Sequence, residues 1–113
     1  MDQKLFNPQK VVEKYIVELR KVGIDPEMII LYGSYASGMA DRWSDIDLVV
    51  ISKDLESIPP LKRLEILSLA TWKVEAPIEA QGYTPQEIAE HGKDSILWEE
   101  IQKNHRVLYK SAA

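Results

Sequence analysis

Residues 28–51 read MIILYGSYASGMADRWSDIDLVVI, and this stretch dictates most of what the chain can become. The apolar run Met28-Ile29-Ile30-Leu31-Tyr32 stops abruptly at Gly33-Ser34. A small-residue segment and a polar loop then lead to Asp45-Ile46-Asp47, which opens a second apolar run from Leu48 to Ile51. Short apolar runs bounded by turn signals read as buried strands. Gly33-Ser34 therefore sits at the end of one strand, and the two aspartates at the start of another.

Side chains alternate across a strand, so Asp45 and Asp47 share one face while Ile46, Leu48 and Val50 enter a core on the other. Two carboxylates this close repel, and at least one pKa rises unless a cation sits between them. Mg2+ takes oxygen ligands of this kind and completes its shell with water and substrate phosphates. Gly33 lets backbone approach a ligand closely. A helix starting at Ser34 aims free N–H groups at a phosphate, with the Ser34 hydroxyl beside them. Each half alone is also what an ordinary turn or a solvated strand start looks like. Together, on two strand ends, they have a chance frequency on the order of one in a thousand for a chain this short.

Gly33-Ser34, ten intervening residues, and Asp45-Ile46-Asp47 within Ser-Asp-Ile-Asp-Leu-Val-Val resemble the nucleotidyltransferase motif of the DNA polymerase beta superfamily. The short length and the downstream Tyr83-Thr84-Pro85-Gln86-Glu87 resemble its minimal nucleotidyltransferases, the MNT proteins of prokaryotes. One departure stands out: many members carry a basic residue just after Gly-Ser, where this chain has Tyr35.

The remainder fits one small domain over residues 1–113. A net charge of −4 argues against broad nucleic-acid affinity, which needs clustered Lys and Arg. No cysteine is present, no signal peptide opens the chain, and no run approaches a membrane span, so a cytoplasmic protein without a membrane partner is expected. Asn7-Pro8 starts a first helix whose Val12, Tyr15, Ile16 and Leu19 share a face, with Gly23 as its stop. Ser34 to Gly38 reads as one or two helical turns. Arg42, in the following loop, is placed to reach a triphosphate, and Trp43 to pack beside the site or stack on a base. Two prolines introduce a helix over about Leu61 to Trp72. Its apolar Leu61, Leu64, Leu67, Leu69 and Ala70 are expected to pack on the sheet, with a partner as the alternative. Ile78 to Tyr83 reads as a third strand with Glu79 and Gln81 on one face. Thr84-Pro85-Gln86-Glu87 starts a further helix with a capping box, closed by His91-Gly92. Asp94 or Ser95 caps the last helix, where Leu97, Trp98 and Ile101 face inward. Arg106 to Tyr109 reads as a final edge strand or an irregular tail, and His91 and His105 as surface residues.

These elements make an α/β (α+β) domain with a mixed sheet of three or four strands and helices mainly on one face. The resemblance implies the nucleotidyltransferase fold. It also implies a third carboxylate on the strand after Asp-x-Asp, where Glu79 matches and Glu75 is the fallback. Glutamate stands there where aspartate is common in the superfamily. The implied chemistry moves a nucleoside monophosphate, AMP from ATP, to a hydroxyl. On that implication Asp45, Asp47 and Glu79 would be the catalytic residues and would hold one or two Mg2+ ions, with Glu79 ligating a metal or taking the acceptor's proton. Gly33, Ser34 and Arg42 bind the nucleotide. The resemblance further implies a HEPN-domain toxin as partner and acceptor, which makes this chain its antitoxin and leaves room for a homo- or hetero-oligomer. The alternative is a non-catalytic module that neutralises a HEPN protein by contact.

Overall fold

The computed structural model describes residues 5–91 and 96–112. Helix α1 (Pro8–Lys21) begins as expected, with the Asn7 side chain accepting from the Lys10 N–H and proline in the first turn. Its Val11, Val12, Tyr15, Ile16 and Leu19 are buried. The chain then forms β1 (Met28–Tyr32), α2 (Ser34–Ser37), β2 (Ile46–Ile51), a 3-10 turn at Lys53–Leu55, and α3 (Pro60–Leu69). It ends with β3 (Ile78–Tyr83), α4 (Pro85–His91), α5 (Ile96–Lys103) and β4 (Arg106–Lys110).

The four strands form one mixed sheet in the order β3-β2-β1-β4. β1 is antiparallel to β2 and β4, whereas β2 and β3 run parallel. A parallel pair needs a crossover, and the segment containing α3 provides it. The inner strands carry nearly continuous apolar runs because both of their faces are covered. Ile29 and Leu31 of β1 and Ile46, Leu48 and Val50 of β2 join the larger core, against α1 and Leu67 of α3. Ile30, Tyr32, Val49 and Ile51 form a smaller core with Ile101 of α5, flanked by Ile88, Leu97 and Trp98. The 14-residue α1 and 10-residue α3 lie on the larger core's face. That packing is tight at Gly82: a Cβ there would come within 2.9 Å of both Leu55 and Leu67.

Three expectations need correction. The helix after the two prolines ends at Leu69, not Trp72. Only Leu67 and Ala70 of its expected core residues are buried, while Leu61, Leu64 and Leu69 are exposed. Arg63, grouped with the polar positions, is turned inward and buried, donating to the Ile58 and Gly82 carbonyls and pairing with Glu87 at 2.6 Å. The amphipathic pattern shows that a helix exists, but not which leucines a neighbouring element covers. The expected cap and stop at Gly92, Asp94 and Ser95, and the side chain of His91, lie outside the described residues. His105 is exposed. Among the described residues no helix is long and apolar enough to cross a membrane.

Candidate active site

β2 is buried along its length except at Asp47. A lone carboxylate in an inner strand is unfavourable unless something compensates it, so its surroundings matter. In the antiparallel register Asp47 lies opposite Tyr32, the last residue of β1. Gly33 follows at once, with φ 72° and ψ −154°. That conformation is open essentially to glycine alone. A Cβ built there would also overlap the Asp47 carboxylate. Gly33 is thus required twice, by its backbone and by the side chain it faces.

The parallel register then sets Glu79 beside Asp47 on the neighbouring strand. Alternation puts the two on one face, away from Leu48 and Ala80 of the larger core. Asp45 lies one residue before β2, exposed, at the same edge. Glu75, the fallback carboxylate, is exposed in the turn before β3 with φ 58°, off the strand. The register therefore favours Glu79.

The loop into Asp45 is braced by Asp41, a role the sequence reading missed. Its carboxylate accepts from the Trp43 N–H at 2.9 Å and from the Ser44 hydroxyl at 3.2 Å, while Ser44 Oγ accepts from the Asp41 N–H at 2.9 Å. Such Asx turns are a recognisable signal in Asp-x-x-Ser sequences. Arg42 and Trp43 are exposed, and the guanidinium stacks 4.6 Å from the indole centroid. Trp43 thus packs on its neighbour rather than into the core.

Electrostatics single out Asp47. Burial first, then the charges of Glu79, Asp45 and Glu100, push its carboxyl up to about 6. Tyr32, buried beside it, has its hydroxyl pKa raised by burial and by Asp47, Glu79 and Glu100. Among the described residues Asp45, Asp47 and Glu79 make no ion pair. Nor do any three Asp, Glu, His or Cys side chains there close into a metal cage. An oxygen-rich, uncompensated edge of this kind fits a hard divalent ion that takes one or two carboxylates and draws the rest of its shell from water and phosphate. Asp45, Asp47 and Glu79 are the carboxylates gathered at that edge.

Beside this edge lies an open cavity of about 400 Å³. Gly33 with Ser34 and Ser37 of α2 line it, together with Glu99, Glu100, Lys103 and Asn104 at the end of α5. The first turn of α2 carries no side-chain cap. Arg42, Asp45, Asp47 and Glu79 do not line the cavity, although Gly33 and Glu100 link Asp47 to it.

Residues 10–108 match the Nucleotidyltransferase domain family. The chain belongs to that family. A candidate protein adenylyltransferase of Methanocaldococcus jannaschii is 39% identical over 66 residues, 58% of this nucleotidyltransferase-domain chain and 41% of the relative. The match thus spans less than half of that protein. A solved structure of a toxin–antitoxin with AMP-PNP superposes with TM-score 0.62 at 20% identity, over 95% of this chain and 76% of the other. A chain from a tri-AMPylated Shewanella oneidensis HEPN toxin in complex with MNT antitoxin gives 0.57 at 18%, over 93% and 74%. At those identities the structures show a shared fold.

In this nucleotidyltransferase fold Gly33, Asp47 and Glu79 come together, with Asp45 beside them. Ser34 opens onto the cavity and Arg42 stands at the rim of the preceding loop. The α5 residues Glu100 and Lys103 reach the site only through the fold. Nothing near the motif announces them.

Proposed function

We propose that this nucleotidyltransferase-domain protein moves AMP from ATP onto a hydroxyl of a HEPN-domain protein and thereby acts as its antitoxin. The observation that carries the proposal is Asp47, set against Gly33 on one side and Glu79 on the other, with Asp45 at hand and none of the three carboxylates in an ion pair among the described residues. Mg2+ held by Asp45 and Asp47, with Glu79 the third carboxylate, would supply charge neutralisation and Lewis-acid polarisation of the phosphate oxygens.

The chain's own residues do the remainder. The first-turn amides of α2 and the Ser34 hydroxyl position the β- and γ-phosphates and stabilise the leaving pyrophosphate. Arg42 is the loop cation assigned to the nucleotide, a role that needs it to leave its stack on Trp43. The acceptor oxygen attacks the α-phosphorus, the bond from that phosphorus to the bridging oxygen breaks, and pyrophosphate departs with the electron pair. Glu79, solvent-exposed one strand over, takes the hydroxyl proton and passes it to water. The name of the Methanocaldococcus relative and the AMPylated toxin in the Shewanella structure support a protein acceptor of the HEPN class.

Neutralisation by contact alone draws on the exposed Leu61, Leu64, Leu69 and Trp72, an apolar group suited to a partner surface. Co-expressing a HEPN partner with the wild type or with Asp45→Asn/Asp47→Asn, then weighing the partner intact, separates the readings. An AMP adduct present with the wild type and absent with the double variant is expected. Equal neutralisation by both proteins, with no adduct, would leave contact as the function.

A further inference from the structure

The cavity beside the carboxylate edge poses an electrostatic problem. A nucleoside triphosphate carries several negative charges, and the α5 wall already presents Glu99 and Glu100. Asp47 lies close enough for Glu100 to raise its pKa. Gly33 and Ser34, which share that lining, offer only dipoles. Tyr35, the next residue, brings no charge: its ring packs against the larger core and its hydroxyl accepts from the Phe6 N–H at 3.3 Å.

Among the described residues one cation lines this cavity. Lys103, in the last turn of α5, faces the same space as Gly33 and Ser34. Among the described residues it makes no ion pair, although Glu99 stands one helical turn before it. Arg42, by contrast, is outside the cavity wall and stacked on Trp43. A lysine ammonium is a compact point charge on a flexible stem, well suited to phosphate oxygens whose position shifts as pyrophosphate forms.

The geometry points to Lys103 as the β,γ-phosphate contact of the nucleotide site, selecting triphosphates over monophosphates from a helix that shares the cavity with the Gly33-Ser34 turn. This rests on the nucleotidyl-transfer reading. It extends that reading by naming a specificity residue outside the motif, elsewhere in the cavity lining. In transfer, the ammonium offsets charge that accumulates on the departing pyrophosphate, with no proton exchanged. The competing role for Lys103 is structural, because a cation in the last turn of a helix stabilises the helix dipole.

Affinity for ATP and for AMP, each with Mg2+, measured by calorimetry on the full chain, distinguishes the two roles. The proteins are the wild type, Lys103→Met, Lys103→Arg, and Lys62→Met as a charge-matched change on α3. Losing one charge-assisted contact predicts that Lys103→Met weakens ATP about tenfold and AMP by less than about twofold, with most of the ATP affinity restored in Lys103→Arg. Lys62→Met should match the wild type. If Lys103→Met keeps the wild-type ATP-to-AMP ratio, or weakens both nucleotides equally with a lowered Tm, the assignment of Lys103 fails and nucleotide binding itself stands. If the wild type binds neither nucleotide, both the Lys103 assignment and the nucleotidyl-transfer reading fall.

Discussion

β3 carries charge at both ends, and the two ends are built on opposite rules. At its C-terminal end Glu87 of α4 is fully answered by the chain. Arg63 pairs with it at 2.6 Å, the Thr84 N–H donates to it at 2.8 Å, and Thr84 Oγ1 accepts in return from the Glu87 N–H at 3.1 Å. Arg63 first, then Thr84, holds the Glu87 carboxyl below its ordinary value. At the N-terminal end Glu79 stands beside Asp47, and the described residues add the negative charge of Asp45 and Glu100 while none forms an ion pair with either carboxylate. No buried side-chain N or O among the described residues lacks a hydrogen bond. The unmet demand of the fold is therefore concentrated as charge at one sheet edge. A charge that the chain itself neutralises is holding structure together. A charge cluster that it leaves unneutralised is addressed to something outside.

The hardest blow to the open end should come from Gly33→Ala. Forcing a side chain into that backbone conformation and against Asp47 displaces the carboxylate by a sizeable fraction of an ångström or more. A misplacement on that scale predicts a loss of AMP transfer of about a hundredfold, measured where circular dichroism shows the variant folded. A rate within about threefold of wild type would mean that the Gly33–Asp47 contact does not set the site.

The closed end should answer in stability, not activity. Arg63→Met leaves Glu87 without its partner. With the Glu87 side chain 38% exposed, solvent recovers part of the loss, leaving about 2–3 kcal/mol in urea unfolding. The rate per folded molecule should be unchanged. A loss of transfer without a loss of stability would erase the distinction between the two ends.

A smaller effect with the opposite sign is expected at Asp47. Its folded pKa of about 6 lies above the ordinary aspartate value. The native state therefore holds a proton that the unfolded chain has released, and metal-free stability falls as pH rises from about 4 through about 6. Asp47→Asn removes that penalty. After discounting for solvent, the variant should be more stable than wild type by about 1–2 kcal/mol at pH 7.5 without metal, with the gap closing near pH 4. Thermal melts across that range check the prediction, and a variant less stable at pH 7.5 contradicts it. The smallest effect belongs to Thr84→Ala, where loss of the cap should lower stability by about 1 kcal/mol with no change in transfer. A change in transfer there would show that the two ends are coupled.

Much of this contrast was legible in the residues alone, for local reasons. Asn7-Pro8, the run from Met28 to Tyr32, and Thr84-Pro85-Gln86-Glu87 each carry their own start or stop signals, and the elements follow them closely. Gly33, Asp45 and Asp47 sit close enough in sequence for one turn and one strand to place them. Glu79 was reachable only through the family resemblance, since its strand taken alone reads as carrying an exposed glutamate, and its pairing with Asp47 depends on a parallel register that no local signal sets. Arg63 was misjudged because its partner comes from another helix, and burial of a long cation depends on that partner. Lys103 and Glu100 were invisible for a similar reason: α5 is an ordinary amphipathic helix until the sheet brings its end to the cavity that Gly33 lines.

The most direct test follows the phosphorus. The wild type or Asp47→Asn is incubated with a HEPN partner, Mg2+ and ATP labelled at either the α- or the γ-phosphate. Nucleotidyl transfer at the carboxylate edge predicts α-label on the partner, no γ-label, and background levels with Asp47→Asn. Label arriving from the γ-phosphate, or α-label undiminished in Asp47→Asn, would contradict it.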